Sequence, residues 1–158
     1  MNRTLILGLG NPILTDDGVG VRVAEEVRAL LPENASIDIS EVSVGGLTLM
    51  ETMIGYDRVI LIDSYLSQDG IPGTYRKMSL DDLRLVSPTQ HSASPHDASL
   101  VTALESGKRM GLRLPEQITI FAIHVQNVEE FSDHPTPAVA AAIPLVTQAV
   151  LEEIRRAQ

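Results

Sequence analysis

Short apolar runs alternate with stretches of helical periodicity along the whole chain, and this alternation limits the folds that the chain can adopt. The predicted strands are separated by turn residues and cover residues 4–9, 35–42, 58–63, 73–78 and 117–124; the first and third are continuous apolar runs. Helical periodicity is found in residues 19–31, 47–53, 80–85, 94–110 and 137–155. Strands that alternate with helices pair in parallel through right-handed crossovers, with helices on both faces of the sheet. We therefore predict an α/β protein, a three-layer α/β/α sandwich with a mostly parallel sheet.

The size and composition of the chain limit which kinds of protein it can be. Its 158 residues are expected to form a single domain, 1–158, and a hydrophobic content of 44% is enough for a core. The absence of cysteine excludes a disulfide framework, a thiolate zinc site and a cysteine nucleophile. The formal net charge of −9 opposes binding to nucleic acid, because phosphate backbones attract basic proteins.

The sequence pattern predicts neither a membrane span nor a secretory signal. No apolar run approaches the ~20 residues that are needed to cross a bilayer. The run at residues 4–9 is followed by Asn11-Pro12 and two acids, not by a small-residue cleavage site. We therefore expect a cytoplasmic protein with no nucleic-acid and no membrane partner.

Ionisable residues stand at three places where a predicted strand or helix meets a loop. Asp16-Asp17 follows the first apolar run, Asp63 ends the third, and His96 lies in the first turn of the helix that Ser94-Pro95 opens. In an open α/β sheet such positions converge outside the carboxyl ends of the strands. Two carboxylates and an imidazole suit a metal ion of hard to borderline character. The pattern therefore predicts a metal-binding or catalytic site at that edge.

Each of these residues also has a structural explanation. Acids at a helix start are stabilised by the macrodipole, and Thr15 or Asp16 can cap the helix at 19–31. If one acid of the Asp16-Asp17 pair caps the helix, the other is free to point into the cleft. Asp63 follows four apolar residues and needs a partner or solvent, which favours a functional role. The positive end of a helix favours the neutral, metal-binding form of His96, although a surface histidine fits the same position.

Other features are less specific. Gly8-Leu9-Gly10 after a strand is weak evidence for a dinucleotide site, although a nucleotide-binding α/β domain stays an alternative. Ser64 is not part of a Gly-x-Ser-x-Gly elbow, which disfavours a serine hydrolase. His124 ends a strand and could contact substrate, but a partly buried histidine with satisfied hydrogen bonds is the favoured interpretation. His91 and His134 lie in polar loops and are expected at the surface.

Four motifs occur in a specific order along the chain. They are Leu7-Gly8-Leu9-Gly10-Asn11, Asp16-Asp17-Gly18-Val19-Gly20, Leu61-Ile62-Asp63 and Ser94-Pro95-His96. This combination resembles the hydrogenase maturation endopeptidases over nearly the whole chain. The resemblance implies a peptidase that clips a short C-terminal extension from the precursor of a [NiFe]-hydrogenase large subunit, after nickel has been inserted into that precursor.

The resemblance also implies roles for individual residues. Asp17, Asp63 and His96 would be the nickel ligands and the catalytic residues, and the nickel would arrive with the substrate. Many members have glutamate at the first position, so Asp17 is one methylene shorter; the Gly45-Gly46 segment resembles the family's glycine-containing loop beside the site. The metal would polarise a carbonyl or activate a water, or a carboxylate would act as general base; the sequence leaves both open.

Two alternatives remain at this point. A non-enzymatic nickel-binding maturation scaffold would use the same three ligands. The segment Gly8-Leu9-Gly10-Asn11-Pro12 also resembles the start of bacterial peptidyl-tRNA hydrolases. In those enzymes a Thr-Arg-His-Asn stretch carries the catalytic histidine, whereas this chain has Leu14-Thr15-Asp16-Asp17 there, and its acidic charge disfavours a tRNA substrate.

Overall fold

The computed structural model describes residues 2–33, 36–86 and 95–156 and, within these ranges, all side chains except those of 84–86 and 95–99. The strands are β1 (Thr4–Leu9), β2 (Ile37–Val42), β3 (Arg58–Tyr65), β4 (Tyr75–Ser79) and β5 (Gln117–His124). The helices are α1 (Val19–Leu30), α2 (Gly46–Thr52), α3 (Leu80–Val86), α4 (Pro95–Arg109) and α5 (Pro137–Arg156). A short 3₁₀ turn, Thr15–Gly18, precedes α1.

These five strands form one mostly parallel sheet in the order β2-β1-β3-β5-β4. Parallel pairs join β1 to β2, β1 to β3 and β3 to β5, whereas β4 lies antiparallel to β5 at the edge. The chain leaves β1 toward β2 on one side and returns to β3 on the other. The loops after β1 and β3 therefore diverge, and this is the kind of switch point at which open α/β sheets form a crevice.

Continuous apolar runs explain the central strands. All eight residues of β3 are buried, and β1 is buried after its first residue. Such runs are expected of parallel strands that are covered on both faces. In β2, which lies at the other edge, Asp38 and Glu41 are exposed and the other four residues are partly buried, as expected for a partly exposed strand.

Helices cover both faces, as predicted for a three-layer sandwich. One face packs against α2, α3 and α4 in a core that includes Leu5, Leu7, Leu61, Met50, Leu83, Leu100 and Leu104. The other face packs against α1 and α5 in a core that includes Ile6, Ile60, Ile62, Val23, Val27, Val146 and Val150. Because side chains alternate along a strand, Leu61, Asp63 and Tyr65 point to the first face, and Ile62 and Ser64 point to the second.

Helix α5 corrects the expectation that no segment is long and apolar enough to span a membrane. In the described part of the chain, Pro137–Arg156 meets both criteria. Its buried residues, which include Val139, Ala142, Val146 and Ile154, pack in the second core. The apolar character of this helix is therefore explained by its position against the sheet.

Glycines fix the junction between β1 and α1. A Cβ at Gly20 would lie 2.2 Å from the carbonyl oxygen of Ile62 and 2.7 Å from that of Leu9, so only glycine lets α1 approach both strands so closely. Gly10 has φ +127°, and a Cβ there would lie 1.8 Å from the carbonyl oxygen of Asp17. These backbone contacts place the Asp16-Asp17 segment directly above the ends of β1 and β3.

Most predicted elements lie within two residues of the observed ones, and two differences bear on the candidate site. Strand β3 does not end at Asp63 but continues to Tyr65, because Ser64 and Tyr65 also pair with β5. The start of α1 is not capped by a side chain: its N-cap residue is Gly18, which has none, and Thr15 and Asp16 belong to the preceding 3₁₀ turn. The prediction that Thr15 or Asp16 caps α1 is therefore wrong.

Candidate functional site

The candidate site lies at the carboxyl edge of the sheet, above β1 and β3. Asp17 is held in the 3₁₀ turn after β1, and Asp63 lies near the end of β3. The Ser64 hydroxyl donates to Oδ1 of Asp17 at 3.4 Å, so the two acidic segments meet at Ser64. The structure thus places the turn that carries Asp17 against the end of β3 that carries Asp63, while a direct contact between the two carboxylates stays a prediction.

Asp17 is positioned by the loop that leaves β1. Its Oδ2 accepts a hydrogen bond from the backbone N–H of Asn11 at 2.8 Å, and its side chain is partly exposed. A carboxylate that accepts one hydrogen bond on each oxygen and is reached by solvent retains lone pairs for a further donor or a metal ion. Asp17 is therefore the acid of the pair that faces outward.

Asp16 has a different role, although it is the next residue in the chain. It is 0% exposed, and its carboxylate accepts hydrogen bonds from the backbone N–H groups of Gln126, Asn127 and Thr136 at 3.1, 3.1 and 2.7 Å. The Thr136 hydroxyl also donates to it. Asp16 therefore ties the turn after β1 to the loop between β5 and α5.

Further bonds between these two segments hold the turn in place. Thr15 has φ +52°, an uncommon conformation for a residue with a Cβ, and its hydroxyl donates to the carbonyl oxygen of Glu130 at 2.6 Å. The backbone N–H groups of Thr15 and Asp16 donate to the carbonyl oxygens of Ser132 and Asn127. The position of Asp17 thus depends on a loop more than 100 residues away, which the sequence analysis did not identify.

Asp63 is the deepest acidic residue of the site. It is 1% exposed, and its Oδ1 accepts a hydrogen bond from the backbone N–H of Ser64 at 2.8 Å. Its side chain lies on the same face of the sheet as Leu61 and Tyr65, which is the face covered by α2 and α4. A buried carboxylate at the carboxyl end of a central strand supports the predicted functional role.

Helix α4 brings His96 to the same edge. The chain just after α4 bonds to the region just before β3: the N–H of Gly55 donates to the carbonyl oxygen of Arg113, and the N–H of Glu116 to that of Asp57. The end of α4 is thus at the amino edge. At 15 residues α4 is roughly 22 Å long, close to the roughly 26 Å of β3, so its first turn lies at the carboxyl edge.

The side chain of His96 is outside the described part of the chain, so its contact with the two acids stays a prediction. Ser94, which is predicted to cap α4, and His91, which is predicted at the surface, lie outside the described residues. Among the side chains that are described, no three histidine or acidic groups are close enough to share a metal ion.

The remaining sequence predictions have mixed outcomes. His134 is at the surface as predicted, with a side chain that is 86% exposed. Ser64 is 5% exposed and connects the two acids. Gly45-Gly46 does lie after β2, at the start of α2.

His124 departs from the expectation that its hydrogen bonds are satisfied. Its Nδ1 is buried and has no hydrogen-bond partner among the described residues. The ring packs edge-on against Tyr65, with centroids 5.0 Å apart. Burial, and secondarily the positive charge of Arg76, hold the pKa of His124 below its usual value of 6.5. The ring is therefore neutral near pH 7.

Comparison with known proteins places this chain in a family. Residues 21–153 match the family model described as hydrogenase maturation protease. The chain is 31% identical to the hydrogenase 2 maturation protease of Escherichia coli over 155 residues, covering 97% of this chain and 91% of that protein. It is 25% identical to the hydrogenase expression/formation protein HupD of Rhizobium leguminosarum, covering 97% and 74% of the two chains.

Solved structures agree with the sequence comparison. The hydrogenase maturating endopeptidase HybD of Escherichia coli superposes with a TM-score of 0.83 at 27% identity, covering 98% of this chain and 93% of that one. The [NiFe] hydrogenase maturation protease HybD of Thermococcus kodakarensis has the same fold, with a TM-score of 0.75 at 21% identity over 95% and 97% of the two chains. The combination of the matched family model, the E. coli relative and the shared fold shows that this chain belongs to the hydrogenase maturation protease family.

Proposed function

We propose that this protein is the endopeptidase that removes the C-terminal extension of a nickel-loaded [NiFe]-hydrogenase large-subunit precursor. The observation that carries the proposal is the contact of the Asp17 turn with Ser64, the residue that follows Asp63 at the carboxyl edge, in a chain that belongs to the hydrogenase maturation proteases. The family membership supports an endopeptidase role in hydrogenase maturation. It also favours this role over the peptidyl-tRNA hydrolase-like and nucleotide-binding alternatives.

The substrate's nickel is proposed to bind to Asp17, Asp63 and His96. Imidazole is a suitable ligand for nickel, and carboxylates can complete a coordination shell that the precursor supplies in part. Asp17 is partly exposed, and the first turn of α4 lies at the same edge, so a metal ion carried by another protein has a route to both. Without that ion the three groups offer the precursor no anchor, which makes cleavage conditional on nickel.

The two carboxylates have different environments, and this separates their proposed roles. Asp63 is buried and fixed by the N–H of Ser64, so it serves as a rigid ligand that defines where the metal ion sits. Asp17 is open to solvent on one side and is the better placed of the two to take a proton from an attacking water. The nickel ion would supply a Lewis acid that polarises the scissile carbonyl.

The proposal is tested by incubating the protein with nickel-loaded and nickel-free precursor in parallel and measuring the precursor's mass. We expect loss of the C-terminal extension only from the nickel-loaded form. Asp17→Asn, Asp63→Asn and His96→Gln should each abolish this mass change, while His134→Gln, a change at an exposed surface histidine, should not. Equal cleavage of both precursor forms would refute recognition through nickel.

The same experiment separates the enzyme from a nickel-binding scaffold. A scaffold would bind the nickel-loaded precursor and leave its mass unchanged, whereas the enzyme shortens it. We also propose that the protein acts in the cytoplasm, since its substrate is an unassembled precursor; cell fractionation that recovers it only with membranes would contradict this.

A further inference from the structure

A second cleft opens at the carboxyl edge beside the candidate site. It has a volume of about 340 Å³ and is lined by Tyr65, Ser67, Asp69, Gly70, Ile71, Thr74, Arg76 and His124. We call it the His124 cleft. Its walls are the loop between β3 and β4, the first residues of β4 and the last residue of β5. None of its lining residues belongs to the proposed nickel-binding set.

The imidazole of His124 presents a hydrogen-bond donor to this cleft. Its Nδ1 is buried under Gly70, where an added Cβ would lie only 2.3 Å from the nitrogen. In folded proteins a buried backbone N–H without an acceptor is rarer than an under-satisfied carbonyl oxygen. By the same preference we assign the proton of the neutral ring to Nε2, which is not among the buried atoms without a partner and can meet a ligand.

Arg76 adds a positive charge to the same cleft. It is exposed and makes no hydrogen bond or ion pair with the residues that the structure describes, although its charge acts on His124 and on Asp82. A guanidinium presents a planar fork of donors that matches the two oxygens of a carboxylate. In the described part of the chain, no side-chain or backbone oxygen accepts a hydrogen bond from the Arg76 guanidinium or from the His124 ring, so both groups can donate to a ligand.

One acidic side chain opposes this arrangement. Asp69 lines the cleft and is exposed, and its backbone N–H donates to the Ser67 hydroxyl at 3.3 Å. The negative charge of Asp69 weakens the binding of an anion to Arg76, although solvent and salt screen charges at the surface. The cleft therefore favours an anion that makes direct hydrogen bonds over one that is held only by long-range attraction.

The strand register gives the distance from this cleft to the candidate site. Tyr65 lies two residues beyond Asp63 on the same face of β3, and it pairs with His124 on the next strand. With strands about 4.8 Å apart and β4 lying beyond β5, the centre of the cleft is roughly 10 Å from Asp63. An extended peptide covers that distance in roughly three residues.

We propose that the His124 cleft is a subsite that binds a carboxylate of the substrate chain, roughly three residues from the peptide bond that is cleaved. This inference rests on the proposed function. The carboxylate could be a side chain or the free C-terminus of the precursor. Its recognition would add a contact that does not depend on nickel.

The first test measures binding to the cleft without cleavage. The imidazole signals of His124 are followed by NMR during titration with acetyl-Ala-Ala-Glu-amide, acetyl-Ala-Ala-Ala with a free C-terminus, and the uncharged acetyl-Ala-Ala-Gln-amide. We expect at least one carboxylate peptide to shift these signals and the uncharged peptide to leave them in place. The responding peptide distinguishes a side-chain carboxylate from a terminal one.

Variants then assign the binding to the cleft. Arg76→Gln should weaken the responding peptide about fivefold, as expected for the loss of one exposed charged contact, while Arg109→Gln at the end of α4 should have no effect. Asp69→Asn should strengthen binding. In His124→Phe, which keeps a ring against Tyr65 but removes Nε2–H, binding is followed through the Tyr65 signals and should weaken. Absence of any shift, or equal binding to Arg76→Gln and the wild type, would overturn the proposal.

The second test uses the nickel-loaded precursor. If the wild type cleaves it, Arg76→Gln should raise KM and leave kcat unchanged, because the contact is remote from the scissile bond. Cleavage with an unchanged KM would refute the subsite and leave the proposed function standing. If the wild type does not cleave the precursor, the proposed function fails, and the peptide titration alone decides whether the cleft binds a carboxylate.

Discussion

Replacing Asp16 by asparagine should destabilise the fold far more than the same change at Asp17, the next residue. The Asp16 carboxylate is fully buried and accepts hydrogen bonds from three backbone N–H groups and from the Thr136 hydroxyl. An asparagine offers one oxygen in place of two. Its amide nitrogen fits best at the Oδ1 position, because the Thr136 hydroxyl can rotate there to accept.

The magnitude follows from the bonds that remain. The N–H of Thr136, which lies 2.7 Å from Oδ1, loses its acceptor, and this costs about 1–3 kcal/mol for a buried donor. The bonds to Gln126 and Asn127 persist but lose their charge-assisted strength, which adds about 1 kcal/mol. We therefore expect the free energy of unfolding of Asp16→Asn to fall by about 2–4 kcal/mol.

Asp17→Asn is the matched control. Its amide oxygen can keep the bond from the Asn11 N–H, and its amide nitrogen can donate to the Ser64 hydroxyl, so the cost should be below about 1 kcal/mol. Urea denaturation followed by circular dichroism gives both values, provided that the slope m is the same in all variants. When each variant is assayed fully folded, Asp17→Asn should lose more precursor-cleaving activity than Asp16→Asn. Equal stability losses for the two variants would refute the assignment of Asp16 as the structural acid.

Two further predictions follow from the packing and the electrostatics. Gly20→Ala should cost more than about 3 kcal/mol of unfolding free energy, because its Cβ would meet the backbone oxygen of Ile62, while Gly111→Ala, at φ +78° with open space around it, should cost about 1–2 kcal/mol; urea denaturation compares them. The pKa of His124 is lowered in the folded chain, so below pH 6.5 the unfolded chain binds a proton on this residue more readily than the folded chain does. The free energy of unfolding should therefore decrease as pH falls through and below 6.5. Arg76→Gln should raise the pKa of His124 in an NMR titration; an unchanged or lower pKa would contradict the electrostatic effect of Arg76.

Much of the fold could be predicted because buried parallel strands leave a local pattern. The continuous apolar runs of β1 and β3 locate both strands, and a carboxylate at the end of such a run marks the edge where a site can form. Asp63 was identified in this way. The antiparallel direction of β4 was not specified by the sequence analysis, because strand direction is set by how the loop at 66–74 folds back onto β5.

The separate roles of Asp16 and Asp17 could not be predicted from the sequence. Both follow the same strand, and either could cap a helix. The difference arises because Gln126, Asn127 and Thr136, more than 100 residues away, direct their N–H groups at Asp16. The burial of His124 Nδ1 without a partner among the described residues could not be predicted for the same reason, since only the folded loop places Gly70 against it.

The glycine contacts between β1 and α1 have a consequence for how this protein could change its specificity. At Gly8, Gly10, Gly18 and Gly20, the atom nearest to an added Cβ is a backbone atom, which cannot move aside as a side chain can. The segment that carries Asp17 therefore tolerates few substitutions, whatever partner is selected for. New specificity would have to be acquired in neighbouring loops such as 66–74, at its exposed positions Leu66, Gln68, Asp69, Ile71 and Thr74. Gly70 and Gly73 in the same loop are held by their contacts with His124 and Ala138.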